Sequence, residues 1–146
     1  MRDEDEFVTF AQASRAQLRR TAYLMCGDWD RASDHVQEAL IRVYVAWPRL
    51  ERAGREYAYA RKAVVSAVLD YARRKSSAEV VAEPDANRPA AGDLAETVTA
   101  RAALMDALAA LPPRQRASVV LRDYEDLSVG DNAAGLGSTE GTVKSQ

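Results

Sequence analysis

Apolar residues in this chain recur at every third or fourth position over long stretches, and no useful length of it alternates apolar with polar. That period belongs to amphipathic helices and not to strands, whose side chains switch face at every residue. Phe7, Phe10, Ala11, Ser14, Leu18, Ala22 and Met25 form a first stripe, closed by Gly27-Asp28. A second helix is expected from near Asp30, with Ala32, Val36, Ala39, Leu40, Val43 and Trp47 on one face. Pro48 stops it, because proline disfavours helical geometry in the residue before it. After Gly54 a third helix is expected from near Glu56 to Lys75, with Tyr57, Ala60, Val64, Ala67, Val68 and Tyr71 as its apolar stripe. Three such stripes can enclose one core.

The character changes at residues 77–93. Pro84, Pro89, Gly92, several alanines and scattered acids replace the large apolar side chains. Such a composition buries little surface and predicts a flexible linker. Helical spacing returns with Leu94, Val98, Arg101, Met105, Leu108 and Leu111. Pro112-Pro113 breaks it, and Pro113 suits the first turn of another helix, with Ala117, Val120, Leu121 and Tyr124 on its inner face. From Tyr124 onward the spacing predicts a helix-turn-helix. Ser128 can cap one helix, with Asp131 three residues on. Gly135-Leu136-Gly137 supplies a tight turn with an apolar plug. Ser138 can cap a second helix that carries Thr139, Thr142, Lys144 and Ser145, and the N-terminal part of such a helix faces base edges. The expected fold is therefore all-α, in two small helical domains: residues 1–76, the linker 77–93, and residues 94–146.

Hydrophobic residues make up 47% of the 146, enough for a folded core, and no apolar run approaches the ~20 residues of a membrane span. The acidic start, Met1-Arg-Asp-Glu-Asp-Glu6, argues against a secretory signal. A single cysteine, Cys26, cannot form an internal disulfide, which fits a reducing cytoplasm. It suits a small core position better than a nucleophile. His35 is the only histidine, so neither a metal site nor a cofactor is expected. No Ser/His/Asp grouping, phosphate-cradling glycine loop or paired-carboxylate pocket points to an enzyme. The net charge of −2 does not by itself suggest nucleic acid, but a local basic patch can bind phosphates on an acidic protein.

Two polar groupings carry the functional question. Asp34, Gln37, Glu38 and Ile41 share the face opposite Val36, Leu40 and Val43, which suits either a solvated surface or a docking surface. The third helix carries Arg61, Lys62, Arg73, Arg74 and Lys75 together with Tyr57, Tyr59 and Tyr71. The terminal cations complement the helix dipole. The mixture of charge and aromatic rings also suits backbone tracking and base stacking on single-stranded DNA.

Taken together, these segments resemble the extracytoplasmic-function sigma factors of bacterial RNA polymerase, of the short actinobacterial type. Asp30-Arg-Ala-Ser-Asp-His-Val-Gln-Glu-Ala-Leu-Ile-Arg-Val-Tyr-Val-Ala-Trp47 resembles the helix that grips the polymerase clamp, with its Asp-x-Val-Gln-Glu core. Residues 57–75 are similar to the helix that melts and reads the minus-ten element, although the family usually carries asparagine near Ser66. Leu108-Ala-Ala-Leu-Pro-Pro-Arg-Gln-Arg116 through Gly141-Thr-Val-Lys-Ser145 is similar to the domain that reads the minus-thirty-five element. The resemblance implies a non-catalytic, cytoplasmic subunit whose partners are core RNA polymerase and promoter DNA, with an anti-sigma factor as a further candidate and no membrane insertion. It implies polymerase contacts at Asp34, Gln37, Glu38 and Ile41. It puts Tyr59, Arg61, Lys62, Ser66, Arg73 and Arg74 near the melted strand. Arg114, Thr139, Thr142, Lys144 and Ser145 then face the upstream duplex.

Two alternatives stay open on the residues: a stand-alone helix-turn-helix regulator, and a shortened sigma-like interaction protein. The family usually continues for several helical turns beyond the position of Gln146. A recognition helix from Thr139 to Gln146 has about two turns and is expected to fray, which predicts weak binding of the minus-thirty-five duplex.

Overall fold

The computed structural model describes residues 4–50, 55–77 and 96–125. Among these the chain is helical apart from short turns. Helices α1 (Glu4–Cys26), α2 (Trp29–Ala46) and α3 (Arg55–Ser77) come first. Helices α4 (Glu96–Ala109) and α5 (Pro113–Val119) follow, and a π-helical turn (Val120–Tyr124) continues α5. The expected helix-turn-helix residues, including Thr139, Thr142, Lys144 and Ser145, lie outside the described residues, as does the linker from residue 78.

The first boundary is set by two adjacent residues. Gly27 takes φ +79°, the left-handed conformation that glycine adopts without steric cost, and so ends α1. Asp28 then caps α2, its Oδ1 accepting from the backbone N–H of Asp30 at 2.8 Å and of Arg31 at 3.0 Å. The amide bond from Arg31, then that from Asp30, holds the Asp28 carboxyl below the usual carboxylate range. So short a turn makes α1 and α2 an antiparallel hairpin. Its far end is closed by rings: Phe7 meets Tyr44 edge-on at 5.1 Å and Trp47 edge-on at 5.5 Å, and Phe10 lies 5.4 Å from Trp47. Pro48 sits in the first turn of a short 3-10 helix, Trp47–Arg49, where α2 stops.

The three expected stripes become the core. Leu18, Ala22, Ala32, Val36, Ala39, Val43, Ala60 and Val64 are each at most 1% exposed. Phe7, Phe10 and Tyr57 pack against that core while keeping part of their surface. The second helical unit shares this cluster. Leu108, Ala117, Val120 and Leu121 belong to the same buried group as the residues of α1–α3. Tyr124 departs from its expected inward position and is 42% exposed. The π-helical turn explains it, because the Glu125 N–H bonds Val120 O, five residues back, at 3.2 Å. That spacing shifts Tyr124 off the stripe which a regular helix would continue. No helix among the described residues is long and apolar enough to cross a membrane.

Candidate polymerase and nucleic-acid interface

The α2 stripe faces inward, so its opposite side is open. Asp34 and Gln37 are exposed there and Ile41 is 55% exposed. Glu38 is half-buried, paired with Arg42 at 3.1 Å one turn on. The same face continues into Tyr44 and Val45, 47% and 67% exposed, which the sequence reading passed over. Their signal was available, because Val45 lies four residues beyond Ile41 and so one turn along the same face. The Tyr44 hydroxyl donates to Glu4 Oε1 at 2.9 Å, which ties this end of the face to the start of α1. Exposed apolar side chains ringed by acids make a surface suited to a protein partner.

On α3, Tyr59, Lys62, Ser66 and Arg73 are spaced three, four and seven residues apart and share one side of the helix. Tyr59 is 39% exposed, Lys62, Arg73 and Arg74 are exposed, and Ser66 is half-buried. Arg73 pairs with Asp70 at 2.8 Å. Arg61 stands apart. It is half-buried on the packed side, with its guanidinium 5.7 Å from the centre of the Tyr57 ring. Tyr57 is turned inward too, and its hydroxyl donates to Glu125 Oε1 at 2.9 Å. Burial, and then the Glu125 carboxylate beside it, push its pKa far above the ordinary tyrosine value. Arg114 is exposed at the start of α5.

Between the two faces lies His35, 5% exposed, with its ring edge-on to Tyr71 at 5.6 Å. Arg31 covers the Tyr71 ring at 4.8 Å. Nε2 of His35 has no hydrogen-bond partner among the described residues. Burial lowers the His35 pKa; Glu38 and Asp34 oppose the shift, while Arg31 and Arg74 add to it. The unfolded chain therefore binds the proton more readily than the folded one. The stability this histidine contributes is complete above its unfolded pKa of 6.5 and falls as pH drops from there towards the folded value. The slope in that window is at most ~1.4 kcal/mol per pH unit. Urea unfolding at about pH 7.5 and about pH 5.5 should show the loss, and His35→Leu should flatten it.

Comparison with known proteins decides the family. The Sigma-70 region 2 family matches residues 10–78, and Sigma-70 region 4 matches residues 101–146. The RNA polymerase sigma-E factor of Streptomyces coelicolor is 36% identical over 140 residues, which cover 96% of this chain and 78% of that one. The chain belongs to the extracytoplasmic-function sigma factors of bacterial RNA polymerase. As a sigma factor it directs promoter recognition and transcription initiation. A further relative is the ECF RNA polymerase sigma factor SigM of Mycobacterium tuberculosis, 35% identical over 130 residues, covering 89% of this chain and 65% of that one. Among solved structures, the sigma factor RpoE of Bartonella quintana, in complex with the anti-sigma factor NepR, superposes with a TM-score of 0.72. It is 25% identical and covers 96% of this sigma factor and 88% of that chain.

Proposed function

We propose that the outer face of α2 is where this sigma factor docks on core RNA polymerase, through Asp34, Gln37, Glu38 and Ile41 extended by Tyr44 and Val45. The observation that carries this is the exposure of a contiguous acidic and apolar face on a helix whose other side is fully packed. Residues 1–76 form the polymerase-binding and promoter-melting unit, residues 77–93 the connection, and residues 94–146 the duplex-reading unit. Tyr59, Lys62, Ser66, Arg73 and Arg74 track and stack against the melted strand; Arg61, on the packed side of α3, supports Tyr57 instead. Arg114, Thr139, Thr142, Lys144 and Ser145 face the upstream duplex. The chain catalyses no step of its own and works in the cytoplasm, where polymerase and promoter are. An anti-sigma factor is a further partner, a reading supported by the likeness to the sigma factor solved with NepR.

Replacing Gln37 with alanine and Glu38 with lysine tests the docking face. Neither residue belongs to the core, so helical circular dichroism should be unchanged. Glu38→Lys also sets a cation beside Arg42, the partner of the lost carboxylate. Capture of core polymerase should fall by about tenfold or more, since one lost interface contact of ~1.4 kcal/mol already gives a factor of ten. Equal capture by the variant and the native chain would remove the assignment.

A further inference from the structure

The buried stripe of α2 is alanine, valine and leucine except at His35. The His35 ring fills the seam between α2 and α3, edge-on to Tyr71, and is 5% exposed. In the neutral ring Nε2 has no partner among the described residues. A buried polar atom in that state is held weakly, because water would satisfy it. Charged groups reach the ring from both helices: Arg31, Asp34 and Glu38 on α2 and Arg74 on α3, with the Tyr71 phenol against it. Arg31 covers the other ring of the seam, Tyr71, at 4.8 Å.

Protonation makes this seat unfavourable. A buried cation needs a paired anion, and at the seam it meets Arg31 and Arg74. The anions stand on the outer side of α2. Glu38 lies three residues on from His35, the spacing that sets two side chains next to each other on a helix. Asp34 is the preceding residue. Both carboxylates belong to the docking face. Glu38 is paired with Arg42 at 3.1 Å, and an ion pair open to solvent is weak enough to exchange partners.

We propose that His35 is a proton switch on polymerase docking: its imidazolium leaves the α2–α3 seam for Glu38 and withholds that carboxylate from polymerase. The switch rests on the docking reading above. The ring gains one proton from water, and no other bond forms or breaks. Polymerase that engages Asp34 and Glu38 favours the neutral, seated ring, and a ligand shifts an equilibrium only through such differential affinity. The coupling is reciprocal, so docking expels the proton and the proton opposes docking. Burial sets the range, keeping the ring neutral until the pH falls below the ordinary histidine value of 6.5. Near neutral pH the face is open to polymerase, and acid closes it.

The test uses the full chain and core polymerase. His35→Leu fills the seam and cannot take the proton. His35→Gln cannot either, and carries the same readouts should His35→Leu lose helical circular dichroism. Capture is measured from about pH 7.5 to about pH 5, where one linked proton changes affinity by at most about tenfold per pH unit. By the acid end the native chain should have lost at least about threefold more affinity than the variant, the common loss being that of polymerase and the other groups. His35 is the only histidine of the chain, so its imidazole signal in nuclear magnetic resonance stands alone. Its midpoint should lie below 6.5, and the Overhauser contact between the His35 and Tyr71 rings should vanish below that midpoint. Native and variant affinities that fall in parallel overturn the switch. A ring contact that persists in the protonated chain overturns the movement to Glu38. Failure of the native chain to capture polymerase at about pH 7.5 overturns the docking reading, while the resonance titration still reports whether the ring leaves the seam.

Discussion

Alanine at Leu18 is expected to lower the unfolding free energy by about 3–5 kcal/mol, the range of large-to-small changes at sites that cannot collapse. Leu18 is fully buried at the middle of α1, in the cluster that also holds Val36, Val43 and Val64. Its neighbours are held by helices on either side, so the space it leaves should persist as a cavity. Domains of this size are stable by only ~5–15 kcal/mol. The loss therefore takes a large part of the total. Urea unfolding followed by circular dichroism reads it directly. A change under ~1 kcal/mol would mean that the site refills, and that the packing of α1 against α2 and α3 is looser than described.

The second large effect concerns DNA. Changing Lys62, Arg73 and Arg74 together to alanine should weaken binding of a melted promoter strand by the polymerase complex. The slope of log affinity against log salt should fall by about 2, since each phosphate neutralised on a single strand contributes ~0.7. Arg73 must leave Asp70 to reach a phosphate, but exposed pairs are worth only ~0–1 kcal/mol, so this costs little. Arg61→Ala serves as the contrast, because its guanidinium rests against Tyr57 on the packed side. It should leave the salt slope unchanged. A slope insensitive to the triple substitution would make these cations solvent decoration, and a slope that falls with Arg61→Ala would show that α3 turns its other side to the strand.

How much of this was legible beforehand depends on distance along the chain. The helices, their stripes and the breaks at Gly27-Asp28, Pro48 and Pro112-Pro113 follow from local rules: helical period, left-handed glycine, proline geometry. So does the exposure of Asp34, Gln37 and Ile41, because a buried stripe defines its own opposite face. The sigma-factor motif in α2 is local too. Arg61 shows where local reasoning stops. The spacing of cations and tyrosines groups it with Lys62, and only the folded chain shows its guanidinium 5.7 Å from the centre of the Tyr57 ring.

Tyr57, Arg116 and Glu125 mark the same boundary over longer range. The stripe on α3 predicts that Tyr57 points inward, but nothing near it names an acceptor 68 residues away. Helical period sets the angle of each side chain about its own axis and is silent about which axes meet. That choice belongs to tertiary packing, where Leu108, Ala117, Val120 and Leu121 join the core of α1–α3 and carry Arg116 and Glu125 to the end of one helix and the side of another. The sequence by itself determined the helices, the all-α fold and the family; the docking of one unit on the other was decided only by long-range burial of apolar surface, which no local pattern encodes.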